Sequence, residues 1–117
     1  MKKINTKIIH EDSRGKIESI VKDFEWKEIN KISSKKGTER GGHYHKNTHE
    51  LIFLIKGSIA IQSKNIESGD EKKLELKSGE GVLIEPLETH KLKVLEDAEW
   101  ITMLTMVFDE NDPDIHV

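Results

Sequence analysis

The sequence predicts an all-β protein of two antiparallel sheets, and three observations support this fold class. Polar and apolar residues alternate with a period of two in short runs rich in β-branched side chains. Gly, Asp, Asn and Ser bound these runs, so turn signals recur about every 8 to 12 residues, as in a β-meander or jelly roll. No segment has the length and period typical of a long helix.

Each predicted element follows from such a run. The ten predicted strands cover residues 7–10, 17–21, 27–33, 42–45, 51–55, 59–63, 72–76, 81–84, 91–95 and 101–108. Turn signals separate them, including those at residues 56–58 and 96–97. Residues 23–28 lack Gly and Pro and begin with Asp23, a suitable cap, which predicts a helical turn. Residues 109–117 are acidic and contain Pro113, which predicts a tail on the surface or against a partner chain.

Length and composition exclude several classes of protein. The 117 residues predict a single domain, residues 1–117, and the net charge of -3 gives no reason to expect a nucleic-acid partner. The longest apolar run, residues 51–55, is far shorter than the roughly 20 residues of a membrane helix. Residues 1–10 lack the apolar centre of a secretory signal, so we expect a cytoplasmic protein. Since there is no cysteine, histidine and carboxylate side chains must hold any metal.

The histidines are the main functional signal. Three of the six lie within residues 43–49. Residues two apart in a strand share a face, so His43 and His45 would present both imidazoles to one side while Tyr44 points to the other. Glu50 follows closely. The next strand is apolar on both faces, so parity does not decide whether His49 or Glu50 points inward.

A later strand supplies a further candidate. His90 shares a face with the apolar residues two and four positions after it, so its imidazole is expected to point into the core or a cavity. One such histidine is more often structural than a ligand, but four candidates together have the composition of a metal site. These four are His43, His45, Glu50 and His90. Three imidazoles and one carboxylate suit a divalent Zn, Mn, Fe or Ni ion and leave positions for water or substrate. His10 and His116 are expected on the surface.

The spacing of these residues resembles the first motif of the cupin superfamily. Five residues separate Gly37 from His43, one residue separates His43 from His45, and four separate His45 from Glu50. A further six residues separate Glu50 from Gly57. All of these spacings match the motif.

The second cupin motif is matched less completely. Gly79 and His90 occupy its positions, whereas Glu85, Leu87 and Val94 replace the usual Pro, Gly and Asn. The resemblance implies a double-stranded β-helix, a jelly roll whose two antiparallel sheets form a small open barrel. It also implies a set of metal ligands, which includes the carboxylate rather than its histidine neighbour: His43, His45, Glu50 and His90.

Two segments resemble the sugar-nucleotide branch of the cupins: Asp12-Ser13-Arg14-Gly15 and Arg40-Gly41-Gly42-His43-Tyr44-His45-Lys46-Asn47. This branch contains the deoxysugar 3,5-epimerases, the 3,4-ketoisomerases, and the cupin domain at the carboxyl end of capsular polysaccharide reductases. Residues 108–114 are similar to the closing segment of the last group, which carries zinc. Arg14 and Arg40 are the only arginines and lie in these segments, where a guanidinium fork suits binding of a substrate diphosphate.

The resemblance implies an isomerase or epimerase acting on a nucleotide-linked keto-sugar in polysaccharide or deoxysugar biosynthesis. A base would remove the proton next to a carbonyl, and an acid or cation would stabilise the resulting enolate. His43 and His45 are the catalytic candidates, although a histidine that ligates a metal cannot also serve as a free base. Tyr44, the only tyrosine, is expected to point away from them, which disfavours a histidine–tyrosine pair.

Two other functions stay open at the level of sequence. One is a cupin that binds a metal and a small anionic ligand without turnover. The other is an iron-dependent dioxygenase, because iron accepts the same ligand types as zinc or manganese. A homodimer is expected, since cupins commonly pair and the amino-terminal strand and acidic tail would otherwise be poorly buried edges.

Overall fold

The computed structural model describes residues 1–117 and contains nine β-strands and no helix. The strands are β1 (Lys2–Lys3), β2 (Lys7–Asp12), β3 (Gly15–Ser19), β4 (Glu28–Ser34), β5 (Glu39–His43), β6 (Glu50–Asn65), β7 (Glu71–Lys77), β8 (Gly81–Ile84) and β9 (Glu88–Leu104). All strand pairs are antiparallel. The predicted all-β class with two antiparallel sheets is therefore confirmed, and the sheets do not close into a barrel. No segment is a helix of the length and hydropathy needed to cross a membrane.

The two long strands β6 and β9 form the centre of a seven-stranded sheet. Its order is β1-β8-β6-β9-β4, with β5 paired to β9 and β7 paired to β6. The first residues of β6 pair with β8 and its later residues with β7. In the same way, the beginning of β9 pairs with β5 and its end with β4. Both long strands therefore take part in the two halves of the molecule.

The turns predicted at residues 56–58 and 96–97 are wrong, because β6 and β9 bend there without reversing direction. The pairing of β6 with β9 shifts register repeatedly between Leu54 and Ile59. Gly57 has a φ of 88°, and a Cβ there would lie 2.3 Å from the carbonyl oxygen of Asp97. A glycine in a bulge is also a turn signal in a sequence, which is why the prediction placed reversals here.

Three other predicted boundaries differ from the structure. The helical turn at residues 23–28 is absent, because Phe24 has a φ of 67°, which a right-handed helix does not contain, and Glu28 begins β4. The strand predicted at 42–45 ends at His43, and the strand predicted at 101–108 ends at Leu104. Beyond Leu104, the N–H of Thr105 bonds to the carbonyl of His49 instead of continuing a strand ladder.

The hydrophobic core fills the space between the two halves of the folded sheet. Its members, all buried, are Met1, Ile52, Leu54, Ile59, Ile61, Leu76, Val82, Ile84, Leu92, Val94, Ala98 and Trp100. Burial of a side chain the size of Leu or Ile stabilises the fold by about 1.5–3 kcal/mol. His90 lies on the same buried face of β9 as Leu92 and Val94, as its parity predicts.

The hairpin formed by β2 and β3 lies outside this sheet as a separate two-stranded unit. Its isoleucines Ile8, Ile9 and Ile17 are 47%, 55% and 57% exposed. An isolated two-stranded hairpin has little stability of its own in water. This hairpin therefore leaves an apolar surface uncovered within a single chain.

Candidate metal centre and ligand cavity

Gly41 allows β5 to approach β9 closely enough for two histidines to face each other. In the register of these strands, His43 is the partner of His90, and the centroids of their rings lie 4.5 Å apart. A Cβ on Gly41 would lie 2.4 Å from the carbonyl oxygen of His90. Its φ of 90° also favours glycine. A residue without a side chain therefore determines how these two imidazoles meet.

His45 joins this pair from just beyond the end of β5. Its ring centroid lies 5.1 Å from that of His43 and 5.2 Å from that of His90. One ring nitrogen from each of the three histidines lies within 4.8 Å of the others. The structure therefore brings together the three imidazoles that the sequence predicted to share a site.

Glu50, the first residue of β6, adds a carboxylate to the cluster. Its Oε2 lies 3.5 Å from Nε2 of His90, and its Oε1 lies 3.8 Å from Nε2 of His45. The neighbouring His49 points elsewhere, with its ring centroid 4.4 Å from that of Phe24. Of the two candidates that parity left open, Glu50 is the one that faces the imidazoles.

The protonation states of the cluster follow from burial and from mutual proximity. Burial lowers the pKa of His90 to about 4, and burial together with His45 lowers the pKa of His43. Burial disfavours the charged form of His45, but the Glu50 carboxylate and the Asp114 carbonyl outweigh this and raise its pKa. Burial also opposes ionisation of Glu50, yet the surrounding imidazoles lower its pKa. At neutral pH, His43 and His90 are neutral and Glu50 is ionised.

These residues fit a divalent metal ion. Nε2 of His45 is buried and has no hydrogen-bond partner, although buried polar atoms normally have one. Side chains act as ligands when imidazoles are neutral and carboxylates are ionised, and the lowered pKa values of His43, His90 and Glu50 favour these forms, whereas His45, with its raised pKa, would give up a proton to a metal. The donor set of nitrogen and oxygen suits Zn, Mn, Fe or Ni. His43, His45, His90 and Glu50 are therefore the residues that would hold such an ion.

Two cavities adjoin the cluster, and His43 and Glu50 line both. The first, here called the Trp100 cavity, has a volume of about 210 Å³ and also contains His90 and Arg40. The second, here called the tail cavity, has a volume of about 260 Å³ and is lined by His45 and by residues that follow β9. A larger hollow of about 410 Å³ lies against β5, β6, β7 and β9, and no histidine lines it.

The two arginines have different environments. Nε of Arg40 donates a hydrogen bond to Oγ of Ser34 at 2.7 Å, and the side chain lines the Trp100 cavity. Arg14 lies in the turn between β2 and β3, where its Nη2 is 2.6 Å from Oδ2 of Asp12. It lines neither cavity, so the structure groups Arg40 with the histidines and leaves Arg14 apart.

The carboxyl-terminal tail contributes residues that the sequence analysis did not place at the site. Asp112, Asp114 and Ile115 line the tail cavity, and Tyr44 and His116 form a β-bridge. The tail therefore packs against the site of its own chain, and His116 is half-buried rather than a free surface residue. A single β-bridge leaves no periodic pattern in a sequence, so hydrophobic periodicity could not reveal that the tail packs here.

Comparison with solved structures shows that the chain has the fold of an RmlC-like cupin. QdtA, a sugar 3,4-ketoisomerase from Thermoanaerobacterium thermosaccharolyticum in complex with TDP, superposes with a TM-score of 0.77 at 27% identity, covering 97% of this chain and 84% of that chain. The WlaRB TDP-quinovose 3,4-ketoisomerase from Campylobacter jejuni has a TM-score of 0.83 at 21% identity, covering 98% and 90%. At that identity, the second likeness concerns the fold alone.

Sequence comparison identifies the family. The sequence model of the polysaccharide biosynthesis C-terminal domain matches residues 10–116, so the chain belongs to that family. It is also 27% identical over 112 residues to a UDP-2-acetamido-2,6-beta-L-arabino-hexul-4-ose reductase from Pseudomonas aeruginosa. That match covers 92% of this chain, but only 30% of the length of the reductase.

Proposed function

We propose that this chain is a metal-binding cupin that acts as an epimerase or isomerase on a nucleotide-linked keto-sugar in polysaccharide or deoxysugar biosynthesis. The observation that carries the proposal is the convergence of three imidazoles and a carboxylate on two cavities. The similarity to a ketoisomerase that binds TDP and to a UDP-sugar reductase supports the substrate class.

The four clustered side chains have a defined role in this proposal. His43, His45, His90 and Glu50 hold one divalent cation, which when bound would polarise a substrate carbonyl. Trp100 and Ile52, both almost fully buried, form an apolar wall of the Trp100 cavity on one side of the cluster. The tail cavity holds the reacting part of the ligand on the other side.

His43 is also the candidate base for a scheme without a metal. It is the least buried of the three imidazoles, it lines both cavities, and its lowered pKa keeps it neutral at pH 7. A neutral imidazole can take the proton next to a substrate carbonyl, with His45 beside it. Tyr44 lines neither cavity and lies beside His116, with ring centroids 5.4 Å apart, so it does not supply an acid here.

Arg40 is proposed to bind the diphosphate of the nucleotide. Its Nε is fixed by Ser34, while its terminal amino groups have no hydrogen-bond partner and stay free for phosphate oxygens. The guanidinium of Arg14, by contrast, is occupied by Asp12. A contribution of Arg14 to substrate binding therefore requires that the ligand compete with this carboxylate.

Elemental analysis tests the metal site. Protein purified without chelator and without nickel resin is expected to contain about one divalent ion per chain. His90→Ala should lower both this ratio and the melting temperature, because a ligand that binds only the folded form stabilises it. His10→Ala, which removes an exposed histidine outside the cluster, is the control and should keep the metal. An undiminished ratio in His90→Ala would contradict the site.

Hydrogen exchange tests the chemistry. In deuterated water, the protein is expected to replace the proton next to the substrate carbonyl with deuterium, as followed by proton NMR. The substrates to be tested are TDP-4-keto-6-deoxyglucose and the UDP-linked 4-keto-sugar after which the similar reductase is named. His43→Ala should reduce the exchange rate by about 10²-fold or more, since general base catalysis contributes 10²–10⁴-fold. Repeating the measurement with and without a chelator separates the metal scheme from the free-base scheme.

The same samples distinguish the other functions. TDP and UDP should raise the melting temperature of the parent and not that of Arg40→Ala. Binding without any exchange would favour a cupin that holds its ligand without turnover. Oxygen uptake after anaerobic loading with iron would favour a dioxygenase. If the protein neither binds TDP or UDP nor catalyses exchange with either sugar nucleotide, the sugar-nucleotide proposal is wrong.

A further inference from the structure

Asp114 attaches the tail to the turn that follows His45. Its carboxylate accepts hydrogen bonds at 2.8 Å from the main-chain N–H groups of Lys46, Asn47 and Thr48. The hydroxyl of Thr48 donates a further bond at 2.9 Å. One carboxylate with this many donors ties two segments that are far apart in the sequence.

The main chain of the same residue contacts the imidazole of His45. Nδ1 of His45 lies within hydrogen-bonding distance of the carbonyl oxygen of Asp114. A carbonyl oxygen only accepts, so Nδ1 carries the hydrogen and Nε2 of the neutral ring keeps its lone pair. That Nε2 is buried, has no hydrogen-bond partner, and lies on the side of Glu50.

No strand pairing of its own orients His45, because β5 ends at His43. The tail holds the residue before His45, because Tyr44 and His116 exchange two main-chain hydrogen bonds at 2.9 Å. On the other side, the N–H of Leu87 donates to the carbonyl of His45 at 2.7 Å. These bonds fix the backbone of His45, and the Asp114 carbonyl fixes its ring.

We propose that Asp114 is a positioning residue for His45. Its carboxylate anchors the tail, and its main-chain carbonyl selects the imidazole tautomer that directs a lone pair of Nε2 into the histidine cluster. With the other tautomer, a hydrogen would occupy the position where a ligand nitrogen must offer electrons. The role of Asp114 in metal binding rests on the proposed function, whereas the tautomer of His45 does not.

Nitrogen NMR of the metal-free protein tests the tautomer directly. Protein labelled with ¹⁵N-histidine is studied at several pH values from about 8.5 upward, because the pKa of His45 is raised above the ordinary histidine value of about 6.5 and the tautomer is defined only when the ring is neutral. The parent should carry the His45 hydrogen on Nδ1, whereas Asp114→Ala should show a mixture of tautomers. The matched control is Asp109→Asn, since the carboxylate of Asp109 accepts only from the N–H of Asn111. This control should resemble the parent.

Zinc affinity, measured by competition with a coloured chelator, provides the second measurement. Asp114→Ala should weaken zinc binding by about 10–100-fold, as is typical for loss of a partner of a metal-ligating histidine. Asp109→Asn should not weaken it. A parent protein that binds no zinc but shows the expected change of tautomer would support the positioning role and refute the metal site.

Two outcomes would overturn the positioning role. The first is a parent in which the hydrogen of His45 sits on Nε2, a result that stands even if Asp114→Ala does not fold. The second is a folded Asp114→Ala protein that melts at a lower temperature but keeps the His45 tautomer and zinc affinity of the parent. That result would mean that the tail only stabilises the fold.

Discussion

Gly41 illustrates how a residue without a functional group governs the site. It is followed directly by Gly42, and the two residues have nearly the same positive φ, 90° and 86°. Their surroundings differ, because an added Cβ would collide with the carbonyl of His90 at Gly41 and would meet nothing within 4 Å at Gly42. Comparing an alanine substitution at Gly41 with one at Gly42 therefore separates the free-energy cost of backbone strain from the cost of pushing β5 away from β9.

Alanine substitution should reveal this difference. Both Gly41→Ala and Gly42→Ala place a Cβ in the left-handed region, which costs about 1–2 kcal/mol. We expect Gly41→Ala to lower the free energy of unfolding by about a further 1–3 kcal/mol, as overpacking does, and to weaken zinc binding because β5 moves away from β9. Urea unfolding and zinc titration measure the two effects. Equal losses in both variants would contradict the role of the close approach.

At this scale, the sequence predicted which histidines lie together better than it predicted which neighbouring side chain faces them. The parity of His90 and the presence of His43 and His45 in one cluster could be predicted because burial has a simple periodicity in a strand. The choice between His49 and Glu50 could not be predicted from parity. Leu51 and Ile52 are both fully buried, so the strand offers no polar face that would set the register.

Among the elements, short strands were predictable and bent ones were not. The predicted strand at 81–84 coincides with β8, because Gly79 precedes it and Pro86 follows it, and both residues interrupt regular strands. In contrast, β6 and β9 each appeared as two strands separated by a turn, since a bulge and a reversal use the same residue types. A bend of this kind depends on the strand packed opposite, which a local pattern does not contain.

The tail was the element least accessible to prediction. Its acidic composition predicted a surface segment, and residues 109–112 are indeed exposed. The attachment at Asp114 depends on three N–H groups that the turn at residues 46–48 presents together. Such an arrangement of donors exists only after β5 and β6 have folded, so no feature of the tail itself indicated it.

For the molecule as a whole, the uncovered apolar surface favours association of two copies. The β2–β3 hairpin exposes Ile8, Ile9 and Ile17, and β4 is the last strand of its sheet, with one edge unpaired. Ile29 on β4 is 62% exposed. Free edges and exposed apolar groups of this kind are usually covered in native proteins.

We therefore predict a homodimer. Light scattering after size-exclusion chromatography should give a mass of twice 13.5 kDa for the parent. Ile17→Lys should shift the mass toward that of one chain, because a charge in an apolar contact is poorly solvated. Ile66→Lys, an exposed isoleucine outside the hairpin and β4, is the control and should leave the mass unchanged. A parent with the mass of a single chain would contradict the prediction.

The participation of Asp114 in the site affects the order of events when the protein is made. Ribosomes add about 5–20 residues per second from the amino end, and the groups that meet at the cluster extend from the His43 imidazole to the main-chain carbonyl of Asp114. His43 and His45 are thus synthesised several seconds before the Asp114 carbonyl that contacts His45. Until Asp114 has been made and has folded back onto residues 46–48, a nascent chain cannot offer this orientation of His45, so an ion that required it would bind only after that point.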